Sequence, residues 1–410
     1  MLGREYGRRL TAVVLSNSVL AAGVFVFGWD PHLLLLLYWV EAGVAVGREA
    51  IQSLFSALPP SEAYKPTGTR VPFPLESLSD VRGRICLVGW LPAIYPRNVP
   101  YILLTLLPLV TFWPLGGLLL TGIIAPFSGS FALPTTLTLG VFAVIFNQAS
   151  HLVSWLWSGE YESAAATGSG SRKYLILVFL LAVVAPFVVR SAEDAGIGRV
   201  VLGLVVVGTK IGYDLLELRY PGFVESTVFT DKTVGEEQPI KLPDTEPIRV
   251  FDNDYRGTFV AAVVSGVLIS FFGPTLFVVL LGGLVGALVG GSAFGTSYGL
   301  VVGGALGVAA VVTCRVIVEI TVGWIVSAHL VYRIHSDTVV AYNTLTDAAQ
   351  WSVPRSRISE VSVSPGLFST IFPDWYSTLK IETHEGGSYK MGYFEDVESA
   401  AGLLKRESVN

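Results

Sequence analysis

Cysteine and charge are both scarce in this chain, and each shortage excludes something. Two cysteines in 410 residues, Cys86 and Cys314, cannot make a disulfide framework, and no histidine pair stands beside either at metal-ligand spacing. They read as small buried hydrophobes. Charged residues make up 14% of the chain, against roughly 25% in an ordinary soluble domain, so composition alone argues against a soluble protein. There is no HExxH, no G-x-S-x-G elbow, no phosphate loop and no dinucleotide fingerprint. The expectation is therefore no enzyme, no catalytic residues, no metal, no cofactor and no nucleic-acid partner.

What the chain has instead is apolar length. Hydrophobic residues make up 52% and the mean hydropathy is +0.60. Stretches of about 20 apolar residues recur, long enough to cross a bilayer as helices. They fall at 10–28, 32–51, 99–122, 132–157, 174–190 and 198–217. The first follows an arginine-rich head, MLGREYGRRL, and lacks a small-x-small cleavage pattern, so it reads as a retained helix. An acidic, proline-bearing stretch at 218–256 reads as a linker. Residues 257–330 are almost continuously apolar, and 331–410 are soluble in character.

Arginine distribution sets the expected orientation. Arg4, Arg8, Arg9, Arg48, Arg70, Arg82, Arg84, Arg97 and Arg172 mark inner segments, while GWDPH, APFSGSFALP and RSAEDAGIG are poor in basic residues. Six helices in 1–217 then leave the linker cytoplasmic. The apolar block carries glycines at four-residue spacing, Gly282, Gly286, Gly290 and Gly291, Gly295, Gly299, Gly303, Gly307. Such spacing makes a flat face where another backbone approaches closely, a glycine zipper. Packing within the chain is one reading and homo-oligomerisation the other. Gly273-Pro274 marks a break, Arg315 and Glu319 stand one turn apart and should pair. A pair of long helices here puts both the N-terminus and the C-terminal domain in the cytoplasm of a cell-membrane protein.

Polar residues inside the apolar blocks form the candidate site. LLLLLYWVEAGVAV places Glu41 mid-helix beside Tyr38, where a bare charge is costly. FNQASHLVSWLW puts Asn147, His151 and Ser154 on one helical stripe, and GTKIGYDLLEL does the same for Lys210 and Asp214. Stripes of this kind are expected to face the bundle, with Glu41 paired to polar groups of the fourth or sixth helix. Two functions fit: a structural polar core in a non-enzymatic scaffold, or a proton-coupled or small-solute transporter that uses Glu41, His151 and Lys210. The two halves show no internal repeat, which counts against a transporter.

Two resemblances follow from these motifs. The Tyr38-Trp39-x-Glu41, Asn147/His151/Ser154 and Lys210-x-x-x-Asp214 patches resemble an uncharacterised family of multi-pass prokaryotic membrane proteins over residues 10 to about 220, although HLVS departs from the family's usual glycine and serine after the histidine. The resemblance implies no activity. From Tyr332, three alternating segments with an EGGS turn and the amphipathic helix FEDVESAAGLLKRE, with Val397, Ala400, Leu403 and Leu404 inward, resemble the bacterial PH-like domain over about 330–407. Asp374, Trp375 and Tyr376 stand where that family has a glycine. This implies a β-roll closed by a helix, with a protein partner. Phosphoinositide binding is not expected, because SDTVVAYNTLTDAAQ lacks the basic cluster. Leu367, Phe368, Ile371 and Phe372 form an apolar tip that either rests on membrane lipid or packs internally.

Overall fold

The computed structural model describes residues 21–27, 29–58, 75–103, 135–165, 197–219, 240–295, 297–365, 377–393 and 396–405, with single positions in 18, 106–117 and 175–184. The N-terminal arginines, most of the acidic stretch, the apolar tip at 367–372 and residues 374–376 lie outside these. The chain divides into two compact units, Met1–Lys65 with Tyr101–Glu236, and Pro66–Pro100 with Glu237–Asn410. This redraws the expected domains. Residues 66–100, read as part of the six-helix module, belong with the C-terminal unit.

In the first unit, helical positions occur in all six expected apolar blocks. Three long helices are described: α1 (Pro31–Phe55), α2 (Thr135–Ser158) and α3 (Gly198–Arg219). The core uses one stripe of α1, Leu35, Tyr38, Trp39, Ala42 and Val46, against Leu175 and Val178 and against Leu202 and Val206 of α3. Trp39 stacks on Trp113 at 6.4 Å, and the Trp113 indole donates to the Trp39 carbonyl at 3.1 Å. A methyl on Gly43 would strike Trp113, and one on Gly116 would strike Trp39, so these glycines make room for the two rings. The ends of α1 and α2 meet, with the Leu58 amide donating to the Ala164 carbonyl, so the two helices run in parallel.

The second unit joins a helical hairpin to a two-sheet β-domain. Its helices are α4 (Tyr255–Ser270), α5 (Gly273–Phe294) and α6 (Ser297–Gly323), the last continued by a π-turn at Trp324–Ala328. Gly266 faces Val316 and Glu319, while Gly282, Gly286 and Gly290 face Gly307, Gly303 and Gly299. Partner numbers fall along both pairings, so α4 and α5 run in the same direction, one after the other, along a single long α6. The block is thus a pair of long arms, the first broken at Phe271-Phe272 before Gly273-Pro274. Pro274, the second residue of α5, cannot donate into the preceding turn, and this ends α4.

The β-domain has a four-stranded antiparallel sheet in the order β1-β2-β3-β4 and a three-stranded one in the order β5-β6-β7. The strands are β1 (Arg249–Asp252), β2 (Leu330–Ile334), β3 (Thr338–Asn343), β4 (Ala348–Pro354), β5 (Ile358–Pro365), β6 (Ser377–Thr383) and β7 (Ser388–Met391). Helix α7 (Val397–Lys405) closes the domain, with Val397, Ala400, Ala401 and Leu404 buried against both sheets. EGGS turns as expected, Gly386 taking a φ of +83°. Strand β1 corrects the linker reading. Four residues of the acidic stretch are an edge strand of the sheet, with Phe251 in the core.

Candidate functional site

Tyr38 and Glu41 lie on α1 and Lys210 on α3, the two helices that share the first unit's core. Tyr38 is buried, Glu41 and Lys210 are partly buried, and neither charge is without an interaction. Asp214 follows Lys210 by one turn along α3; its side chain lies outside the described part. The stripe on α2 falls elsewhere. Asn147, His151 and Ser154 are all exposed, and Gln148, next to Asn147, turns into the unit at 7% exposure. The spacing of the stripe holds, but its expected direction does not. Apolar side chains surround α2 on every face, so its sequence does not fix which face packs. The cysteines are free, yet both are exposed rather than buried, Cys314 because it lies on the outer surface of α6.

A second constellation, in the C-terminal unit, is more tightly built. Strand β1 runs into α4 and α6 runs into β2, and the two strands pair through Asp252 and Val331. The hairpin therefore grows directly out of a β-ladder. Asn253 locks the junction: its side-chain amide donates to the Thr258 hydroxyl at 2.9 Å and to the Ser327 carbonyl at 2.8 Å, and its own amide donates to the Leu330 carbonyl at 3.1 Å. Asp254 caps α4, its carboxylate accepting from the Arg256 amide at 2.8 Å. Asn343 of β3 adds a bond from its side-chain amide to the Ile325 carbonyl at 2.9 Å.

Beneath this junction the Tyr332 hydroxyl accepts from the Gly392 amide at 2.6 Å. Tyr332 is fully buried, and burial pushes its phenol up to about 12. A methyl on Gly392 would strike the Asn253 side-chain oxygen, so the backbone just past β7 presses on the junction. Residues 75–99 brace the other side. Leu75, Leu78 and Val81 pack with Val322 of α6, and Gln350 of β4 exchanges two hydrogen bonds with the Arg82 backbone, at 2.9 and 3.0 Å.

Higher in the hairpin, Arg315 and Glu319 form the expected pair at 2.6 Å, both nearly buried where Gly266 of α4 leaves room. Pairing one turn apart on the same helix satisfies both charges locally. Among the described residues no cluster of three or more His, Cys, Asp or Glu side chains could hold a metal ion. Sequence reading missed Asn253, Asn343 and Gln350. The signals were present for one: D-N-D ahead of an apolar run is a helix-start pattern, and R-V-F-D, which runs into it, alternates as a strand does.

Fold and site together define a mostly helical chain with a C-terminal β-sheet domain rooted in a hairpin. Among the described residues, two helices, at Thr275–Ser292 and Ser297–Ala328, are long and apolar enough to cross a membrane. The comparisons add one family. A model described as a family of unknown function, DUF6498, matches residues 3–86. No curated protein and no solved structure matches the chain.

Proposed function

We propose that the chain is a multi-pass integral membrane protein that acts without catalysis, as a scaffold presenting a PH-like domain to a protein partner in the cytoplasm. The observation that carries this reading is the junction at Asn253. A domain meant only to be tethered needs a flexible linker, whereas this one is continuous with both arms of its anchor through a β-ladder and buried hydrogen bonds. A rigid mount of that kind fixes the direction in which the domain faces.

Several features support the membrane part. Tyr298 at the tip and Trp324 at the root are 26 residues apart, about 39 Å along a helix, which matches roughly the full thickness of a bilayer with its headgroups, where aromatic side chains concentrate. The tip, Ser292 to Tyr298, has no charge, while the root carries Arg249 and Arg256, so the root belongs in the cytoplasm. The paired glycine faces support a glycine zipper closed within one chain rather than between copies. The four-plus-three sheets under a C-terminal helix support the PH-like reading. The exposed position of His151 supports the scaffold over the transporter reading, which would use that ring together with Glu41.

Cys86 provides the test of orientation. It is exposed, on the segment that braces the β-domain. In a Cys314→Ser background, a membrane-impermeant maleimide should label Cys86 only after cells are permeabilised; labelling of intact cells would place the domain outside. Proteoliposomes loaded with a pH dye test the alternative. They should show no proton flux above empty vesicles, and a flux that Glu41→Gln abolishes would replace the scaffold with a transporter.

A further inference from the structure

Between Arg84 and Pro96 the bracing segment makes a loop, ICLVGWLPAIY, without a charged residue. Ile85 and Ile94 close its foot, each donating its amide to the other's carbonyl, at 2.8 and 2.9 Å. At the tip the Leu91 amide donates to the Val88 carbonyl at 3.1 Å, and Leu87, Val88 and Trp90 are 66%, 43% and 79% exposed. Apolar side chains grouped in this way, rather than scattered singly, mark a contact surface. The stems of the loop begin at the root of the hairpin. Val81 and Val99 both pack in the cluster around Val322 of α6, two residues from Trp324. The Arg84 amide donates to the Thr346 carbonyl, in the turn between β3 and β4, at 3.0 Å.

We infer that this loop is a second, interfacial contact with the bilayer that the hairpin crosses, its tip set among headgroups and the first acyl carbons. The inference rests on the membrane reading proposed above. Placement selects lipid as the occupant: the stems leave α6 at the level of Trp324, where that reading puts the edge of the bilayer. The loop thus continues the apolar surface that α6 shows at Leu306, which is 65% exposed. Reach agrees with placement. Trp90 stands four residues before Ile94, which allows up to about 13 Å of extended chain, whereas the headgroup zone of one leaflet is roughly 5–7 Å deep. Composition agrees too, since tryptophan beside aliphatic side chains suits the membrane–water boundary. A bilayer, unlike a soluble partner, is always present to cover them. Cys86 is exposed at the foot, beside the paired isoleucines, and stays on the water side in this placement. With the hairpin as one anchor and the loop as another, the β-domain is fixed in tilt as well as in position.

Site-directed spin labelling of the full chain in proteoliposomes tests this. In a background of Cys86→Ser and Cys314→Ser, single labels are placed through Val88→Cys at the loop tip, Leu306→Cys on α6, or Glu385→Cys in the turn between β6 and β7. Each label's collisions with oxygen, which concentrates in lipid, and with a nickel chelate, which stays in water, are then compared. The label at 88 keeps Trp90 in place and should be several-fold less open to the chelate than the label at 385, while remaining open to oxygen. Equal access of the chelate to 88 and 385 would overturn the inference. Shielding of 88 from both reagents would overturn it as well, because protein would then cover the tip. The label at 306 separates the two failures: if the chelate reaches it too, the membrane reading falls, whereas a shielded 306 with an open 88 refutes the loop alone.

Discussion

The two halves of the hairpin are held along the same helix by different chemistry. Toward the tip, α5 meets the first half of α6 through glycines whose backbones approach too closely for any side chain: a methyl on Gly303 would strike the Gly286 carbonyl, and one on Gly307 the Gly282 carbonyl. Toward the root, α4 packs on the second half at Gly266 and Gly323, beside an ion pair buried within α6, and the Asn253 bonds tie its start to the π-turn. Close backbone contact is dispersive and tolerates little change of volume. Polar contact is directional and costly to leave half made. The tip is thus fixed by shape and the root by chemistry, which places the specific bonds where the hairpin meets the β-domain.

Cutting the ion pair should give the largest effect, and only at the root. Arg315→Met strands the Glu319 carboxylate among apolar helices, a loss of about 3–5 kcal/mol for a buried pair reduced to one partner. Arg315→Met with Glu319→Gln removes both charges and should recover most of it. Denaturing-detergent titration of the full chain reads both values. Equal losses in the single and double variants would mean that the pair contributes volume and not charge.

Alkali should act next, again at the root. Tyr332 is neutral in the folded β-domain, with its phenol raised to about 12 from an ordinary 10. A group raised in this way contributes stability that is fully present below pH 10 and lost as pH climbs to 12. The loss over that window is roughly 2–3 kcal/mol. Thermal unfolding between pH 9 and 12 should show it, and Tyr332→Phe, at lower overall stability because the Gly392 amide loses its acceptor, should show a flatter profile. Identical slopes would assign the alkaline response to other groups.

The sequence exposed these halves unevenly, for physical reasons. The glycine spacing and the Arg315–Glu319 interval are local periodicities, and a helix preserves them whatever it packs against. Which partner the glycines meet is not local, so packing within the chain and self-association stayed open until the register was known. The same limit misled the reading of Asn147, His151 and Ser154. Three polar residues in line define a stripe, but on a helix apolar all round the azimuth of that stripe comes from tertiary packing. Strand β1 was hidden differently: four residues carry little pattern of their own, and their acidic, proline-bearing neighbours read as a linker. The β-domain's later strands were legible because each alternates over its length and ends in a recognisable turn.

The smallest expected effect distinguishes tip from root by neighbouring residues. Gly303 and Gly304 are adjacent on α6, and replacing either by alanine should raise helix propensity by about 1 kcal/mol. Their surroundings differ. A methyl at Gly303 would collide with the Gly286 carbonyl and come within 2.9 Å of the Gly290 Cα, both backbone atoms that can move only if α5 moves. A methyl at Gly304 would meet the Gly283 carbonyl at 3.4 Å and the Ala287 Cβ at 3.5 Å, ordinary contact. Gly303→Ala should therefore lose about 1–3 kcal/mol as the arms are forced apart, and Gly304→Ala should be neutral or gain. If Gly303→Ala and Gly304→Ala behave alike, the tip is held by general apolar packing, and the contrast with the root reduces to the polar bonds alone.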